Sequence, residues 1–317
     1  MTVRQQNFVD GVLATPGAAA ADVVAELTEI KAEYERHRAI FVGGERMSRL
    51  LRGLGASDSD LAALQRASTD LPDDPTLPFR KARNGRYFFD NRAGRIDRLE
   101  FQPFVLSADE DFVRYDSGQI RQFAEIGADL QSNRALQGLL RFKAFVVDGL
   151  DIAHRPKLDY GSANWVCTLF HLRTVTTPAL TGEPALEGVH SDGVDHTMTT
   201  MLGAENMTDD SARTFIHDMR ETNAIGWDEV DPALRIGQYQ HRRFLDTLLV
   251  VDHEFKHSLS PVLAADTSRV ATRDMLVFFT RKPTVPGHVS HRHDSLRRHA
   301  TLPLSVPPVR GALSEEP

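Results

Sequence analysis

Apolar positions change their rhythm along this chain. In the first third they recur every three or four residues. Val23, Val24, Leu27, Ile30 and Tyr34 fall on one stripe when wound at helical pitch. That spacing predicts a helix over residues 20–38 whose stripe packs against a core or forms a dimer face. Gly43 and Gly44 end it. A second short helix is predicted over 45–52, stopped by Gly53 and Gly55. Ser57 and Asp58 then stand where a side-chain oxygen can accept from the free amides of a first turn, opening a third helix through Leu61 and Leu64. Beyond a proline-rich junction at 71–78, residues 87–90 and 99–106 read as strands. Helical spacing returns at Ile120, Phe123, Ile126 and Leu130, and again at Leu136, Leu139, Leu140 and Phe142.

From about residue 160 the texture is different. Segments rich in β-branched and aromatic residues follow in series, over 165–176, 197–202, 213–219, 245–254 and 270–280, with turn-forming clusters between them. Short strands at this spacing predict a sandwich or barrel. The organisation expected is therefore α+β. It has a helical amino-terminal region over 1–75, a strand-rich domain with supporting helices over 76–283, and a tail over 284–317. Pro, His and Arg dominate the tail, which predicts disorder. Its His288, His291, His293 and His299 then suggest only adventitious metal affinity.

Composition narrows the function classes. With 317 residues, 41% of them hydrophobic, the chain can bury a full core without disulfides. A net charge of −7 argues against a nucleic-acid or anionic-membrane partner but names no other. No run approaches the ~20 apolar residues of a membrane span. The small apolar stretch at 12–20 is interrupted by Pro16 and preceded only by Arg4, so no secretory leader is expected. A single cysteine, Cys167, excludes an internal disulfide and fits a reducing, cytoplasmic setting. Arginine outnumbers lysine 31 to 6, so one arginine alone is weak evidence for a site.

The informative segment is Glu187-Gly188-Val189-His190-Ser191-Asp192-Gly193. In a strand, His190 and Asp192 would share a face. An imidazole beside a carboxylate supplies two of the three ligands of a facial iron(II) site. The third should be a histidine from a later strand. His257, at the end of an apolar run, is the first choice and His253 its rival. Further on, Arg273 heads the apolar segment Met275-Leu276-Val277-Phe278-Phe279, where a guanidinium could pair with a buried carboxylate. Arg269 competes for that role.

As a set, His171-Leu172-Arg173, the His190-x-Asp192 motif, the Asp252 to His257 strand end and Arg273-Asp274-Met275-Leu276-Val277 resemble the iron(II)/2-oxoglutarate-dependent dioxygenases, in detail the bacterial L-isoleucine 4-hydroxylase-like group. The resemblance implies a double-stranded β-helix (jelly-roll, cupin-like) core. It implies that His190, Asp192 and His257 hold Fe(II), with 2-oxoglutarate and O2 as co-substrates and Arg273 on the distal carboxylate of 2-oxoglutarate. The implied reaction is hydroxylation of an unactivated C–H bond of a free L-amino acid, with release of succinate and CO2. Retention of a carboxylate at Asp192 favours hydroxylation over halogenation. Arg173 is then a candidate for the substrate carboxylate, and Glu187 and Asp252 for its amine. Two alternatives stand beside this reading: a cupin-type barrel that binds metal or ligand without oxidising anything, and a dioxygenase acting on a carrier-bound or peptide substrate.

Overall fold

The computed structural model describes residues 18–105, 114 and 116–309; the leader question at residues 12–17 lies outside them. Among the described residues there are five α-helices: α1 (Ala18–His37), α2 (Gly44–Gly53), α3 (Asp58–Gln65), α4 (Ala128–Ser132) and α5 (Arg134–Val147). The strands are β1 (Ala39–Val42), β2 (Arg80–Asp90), β3 (Arg95–Leu99), β4 (Phe104–Val105), β5 (Ile120–Arg121), β6 (Ala124–Glu125), β7 (Trp165–Thr176), β8 (His196–Glu205), β9 (Thr214–His217), β10 (Arg235–Tyr239), β11 (Thr247–Val251), β12 (Lys256–Leu259), β13 (Ala271–Arg281) and β14 (Ser305–Val306). The large sheet runs β1-β11-β8-β13-β7-β2-β3-β14, with β6 beside β2; a small sheet runs β10-β9-β12. Apart from β6 on β2, neighbouring strands in both are antiparallel. This is a double-stranded β-helix, open rather than closed into a barrel.

The two-residue period of a strand sorts the side chains into layers. On β13, Leu276 and Phe278 enter the main core, whereas Arg273, Met275, Val277 and Phe279 border a cavity. On β11, Leu249 and Val251 go to the core and Leu248 and Val250 to the cavity. On β8, Met198 and Leu202 oppose Thr197 and Thr199 in the same way. The helices cover the core face. Leu27, Ile30 and Tyr34 of α1 are fully buried within the chain, so this stripe is core and not a dimer face. Ser57 caps α3, accepting from the amide of Asp60 at 3.1 Å while its own amide donates to the Asp60 carboxylate at 2.8 Å.

Three expectations are corrected. The amino-terminal region is not wholly helical, because β1 pairs with β11 and forms the sheet's first edge. The strand expected over 99–106 is mostly not one: Leu99 ends β3, β4 is two residues long, and residue 106 lies outside the described residues. The helix expected from Ile120 to Leu130 is replaced by β5, β6 and the start of α4. Its apolar residues face different surroundings: Ile120 is 60% exposed, Phe123 joins an aromatic cluster, and Ile126 and Leu130 enter the main core. Three-residue spacing there reflects no common face.

The tail expected to be disordered is folded as far as residue 309. β14 pairs with β3, and Asp294 is enclosed by Arg86 at 2.5 Å and Arg281 at 3.0 Å while accepting from the Thr284 hydroxyl at 2.8 Å. Pairing with the main sheet, which composition cannot show, orders the segment. Burial alone would raise the Asp294 carboxyl's pKa, but Arg281 and Arg86 hold it well below the usual range. Its stabilisation is therefore complete above the unfolded pKa of about 3.9 and is lost as pH falls below it. Asp294→Ala should cost about 3–5 kcal/mol at neutral pH, because two largely buried guanidiniums lose their counter-charge. Urea unfolding at pH 7 and pH 3 tests this; the variant's deficit should shrink at the lower pH.

Candidate active site

The His190-x-Asp192 motif lies in a loop, not in the regular strand that its spacing suggested. Backbone bonds fix it. The amide of His190 donates to the carbonyl of His257 at 2.9 Å, and the amide of His257 returns to the carbonyl of His190 at 2.8 Å. One residue earlier, the Val189 amide donates to Ile225 at 2.9 Å and the Val189 carbonyl accepts from Ala224 at 2.8 Å. Gly188 makes this possible: its φ is +73°, and a Cβ there would lie 2.3 Å from the Ile225 carbonyl oxygen. Its own carbonyl accepts from Nδ1 of His190 at 2.9 Å. That bond keeps the proton on Nδ1 and turns Nε2 towards Asp192.

The loop and β12 bring three ligand atoms together. Nε2 of His190 lies 3.3 Å from Oδ1 of Asp192, and Nε2 of His257 lies 3.5 Å from Oδ2. All three groups' ligand atoms fall within 4.8 Å of one another. Thr197 donates its hydroxyl to Asp192 Oδ2 at 2.7 Å, fixing the carboxylate plane. Burial alone would lower the pKa of His190, but the neighbouring Asp192 raises it to about 9. Burial dominates at His257 and pushes it down to about 4. Asp192, despite its burial, is held below the usual carboxylate range by His257 and His190. Two imidazole nitrogens and one carboxylate oxygen converging from one side form a donor set that could hold iron(II).

Arg273 faces the same cavity from β13. It is 4% exposed, its Nε has no hydrogen-bond partner, and it makes no ion pair among the described residues. Burial pushes its pKa down to about 10. The adjacent acid, Asp274, points to the other face and is held by Arg173 through two bonds of 2.7 Å. Nearby His241 is pushed down to about 3 by burial and the charge of Arg273, so it stays neutral. The cavity thus holds an isolated buried cation that fits a carboxylate guest. Its volume is about 140 Å³. Phe104, Phe123, Phe170 and Phe279 form one wall, with Phe104–Phe170 and Phe123–Phe170 centroids at 5.1 and 5.2 Å.

The structure brings His190, Asp192, His257, Arg273 and Glu187 together around this cavity. It excludes the others. Arg173 is committed to Asp274 and does not border the cavity, so it is not placed to meet a substrate carboxylate. Asp252, fully buried, stands behind His257 with Oδ1 3.7 Å from its Nδ1, out of reach of a substrate amine. Burial, then Asp192, raise its pKa well above the usual value. The turn between β11 and β12 breaks strand parity, and His253 turns away to bond the Ala153 carbonyl. Arg269 is a surface residue, 3.6 Å from Glu205. Sequence reasoning missed Thr197, and also Arg80, Arg114 and Arg121, which border the cavity too.

A double-stranded β-helix carrying a largely buried His–Asp–His cluster, with an arginine on the same cavity that is unpaired among the described residues, defines the class of iron(II) oxygenases that use a 2-oxo acid. The family model for 2OG-Fe dioxygenases matches residues 65–279, and the chain belongs to that family. The Fe(II)/α-ketoglutarate-dependent dioxygenase TqaL is 49% identical, with a TM-score of 0.80 over 92% of this chain and 98% of that one. The bifunctional enzyme flvA of Aspergillus flavus is 46% identical over 284 residues, 90% of this chain; the chain spans 34% of that relative's length. IDO from Bacillus thuringiensis, 17% identical with a TM-score of 0.62, shares the fold. Family membership makes the chain an oxygenase using Fe(II), 2-oxoglutarate and O2, and decides against a barrel that only binds metal.

Gly188→Ala should weaken divalent-metal binding by about 10–100-fold, the range seen when a ligand's outer support is lost. Cobalt(II) titration checks this; unchanged affinity in a folded variant would contradict the role given to the Gly188 carbonyl.

Proposed function

We propose that this enzyme hydroxylates an unactivated C–H bond of a small substrate, a free L-amino acid, with 2-oxoglutarate converted to succinate and CO2. The observation that carries this reading is the cavity: His190, Asp192 and His257 at one side, and Arg273 without a carboxylate of its own at another. His190, Asp192 and His257 hold the iron. Arg273 takes the distal carboxylate of 2-oxoglutarate, a role open to it because Arg173 has neutralised Asp274. Bound iron(II), with 2-oxoglutarate as electron donor, would activate O2, the oxidant for both the C–H bond and the 2-oxo acid. The chain's residues orient and shield. Thr197 keeps Asp192 aligned, the phenylalanine wall receives the aliphatic body and excludes water, and Glu187 takes the ammonium group. Retention of Asp192 supports hydroxylation rather than halogenation.

Under anaerobic conditions, wild-type protein with iron(II) and 2-oxoglutarate should develop the weak visible band of an iron–2-oxo acid complex. Asp192→Ala should abolish both that band and succinate formation; wild-type turnover in the variant would refute the assignment. Arg273→Met should raise the 2-oxoglutarate concentration at half-maximal band intensity by about 10²-fold, as expected when one partner of a desolvated charge pair is lost. A screen of free amino acids, with mass spectrometry for the gain of one oxygen, tests the substrate class.

A further inference from the structure

Four arginines border the cavity, and three have an occupation. Arg80 is bound to Asp74 at 2.7 Å. Arg114 grips Asp116 with two bonds of 2.6 Å and reaches Glu187 at 3.3 Å. Arg273 serves the co-substrate in the reading above. Arg121 is left. It is 4% exposed, and neither Nε nor Nη2 has a hydrogen-bond partner. Its one ionic neighbour among the described residues is Asp116, at 3.2 Å from Nε, and that carboxylate already has both oxygens filled by Arg114. The guanidinium lies over the Phe104 ring, 5.4 Å from its centroid, at the edge of the aromatic wall.

We propose that Arg121 binds the carboxylate of the substrate, so that the enzyme selects small acids whose apolar body lies along Phe104, Phe123 and Phe170. The proposal rests on the reading in which Arg273 holds 2-oxoglutarate. Enclosing a guanidinium without a full partner is costly, and a cavity that does so twice is built for two anions. Burial, then the charge of Arg114, lower the pKa of Arg121 to about 10, and burial does the same at Arg273. Arg121 thus supplies the contact that neither Arg173 nor any other charged side chain at the cavity is free to make. Because Arg114 alone satisfies Asp116, replacing Arg121 strands no carboxylate.

The test compares the aliphatic L-amino acids with their carboxamides as substrates of the iron- and 2-oxoglutarate-loaded enzyme, with succinate as readout. Wild-type enzyme should favour the acids. Arg121→Met should raise KM for the acids about 10²-fold and leave KM for the carboxamides and the half-saturation of the 2-oxoglutarate band within about threefold. Arg121→Lys should recover part of the loss. A shift in the 2-oxoglutarate band instead would assign Arg121 to the co-substrate, and equal losses for acids and carboxamides would make it structural; either overturns the proposal. So would a wild-type enzyme that forms the band yet consumes no acid in the panel. Failure to form the band at all would sink the underlying reading, and the proposal with it.

Discussion

Alternation along the central strands is the constraint on which the rest of this structure depends. β13 is paired on both sides, with β7 and β8, so its register cannot slip without moving every side chain to the other face. In that register Asp274 leaves the cavity and Arg273 enters it. One residue's difference separates a guanidinium neutralised by its neighbour from one that can receive a guest. The salt bridge between Asp274 and Arg173, on the next strand, completes the separation. The helices contribute by closing the opposite face with apolar side chains, so that one sheet surface is a packed core and the other is a site.

The long central strands were legible in the sequence because unbroken apolar and β-branched runs admit few other readings, and 165–176 matches β7 residue for residue. The motif residues were legible as chemistry but not as geometry. His190-x-Asp192 suggested a strand, yet a positive φ at Gly188 and the close approach of Ile225 place it in a loop whose shape depends on chain far away in sequence. Spacing misled between Ile120 and Leu130, where each apolar side chain finds a different partner. Composition misled at the carboxyl end, since Asp294 has its ionic partners on β2 and β13.

Arginine shows most plainly what a sequence withholds. Among 31 of them, chemistry depends on which lack a counter-ion, and a partner's absence is a three-dimensional property. Arg173 stood on a strand ahead of the motif and proved to be occupied; Arg121 lay inside a misread helix and proved to be under-paired. Asp252 has the same character. It looked available beside His257, but burial removed it from the cavity and set it behind the ring.

The paired amides of His190 and His257 give the site a built-in gauge of its own integrity. Each N–H is hidden only while the other residue's carbonyl stays opposite, so solvent deuterium reaches either one when the motif loop parts from β12. Their exchange should be simultaneous, with one opening free energy. That rate reports how often the two imidazoles lose their mutual alignment, whatever else the cavity contains.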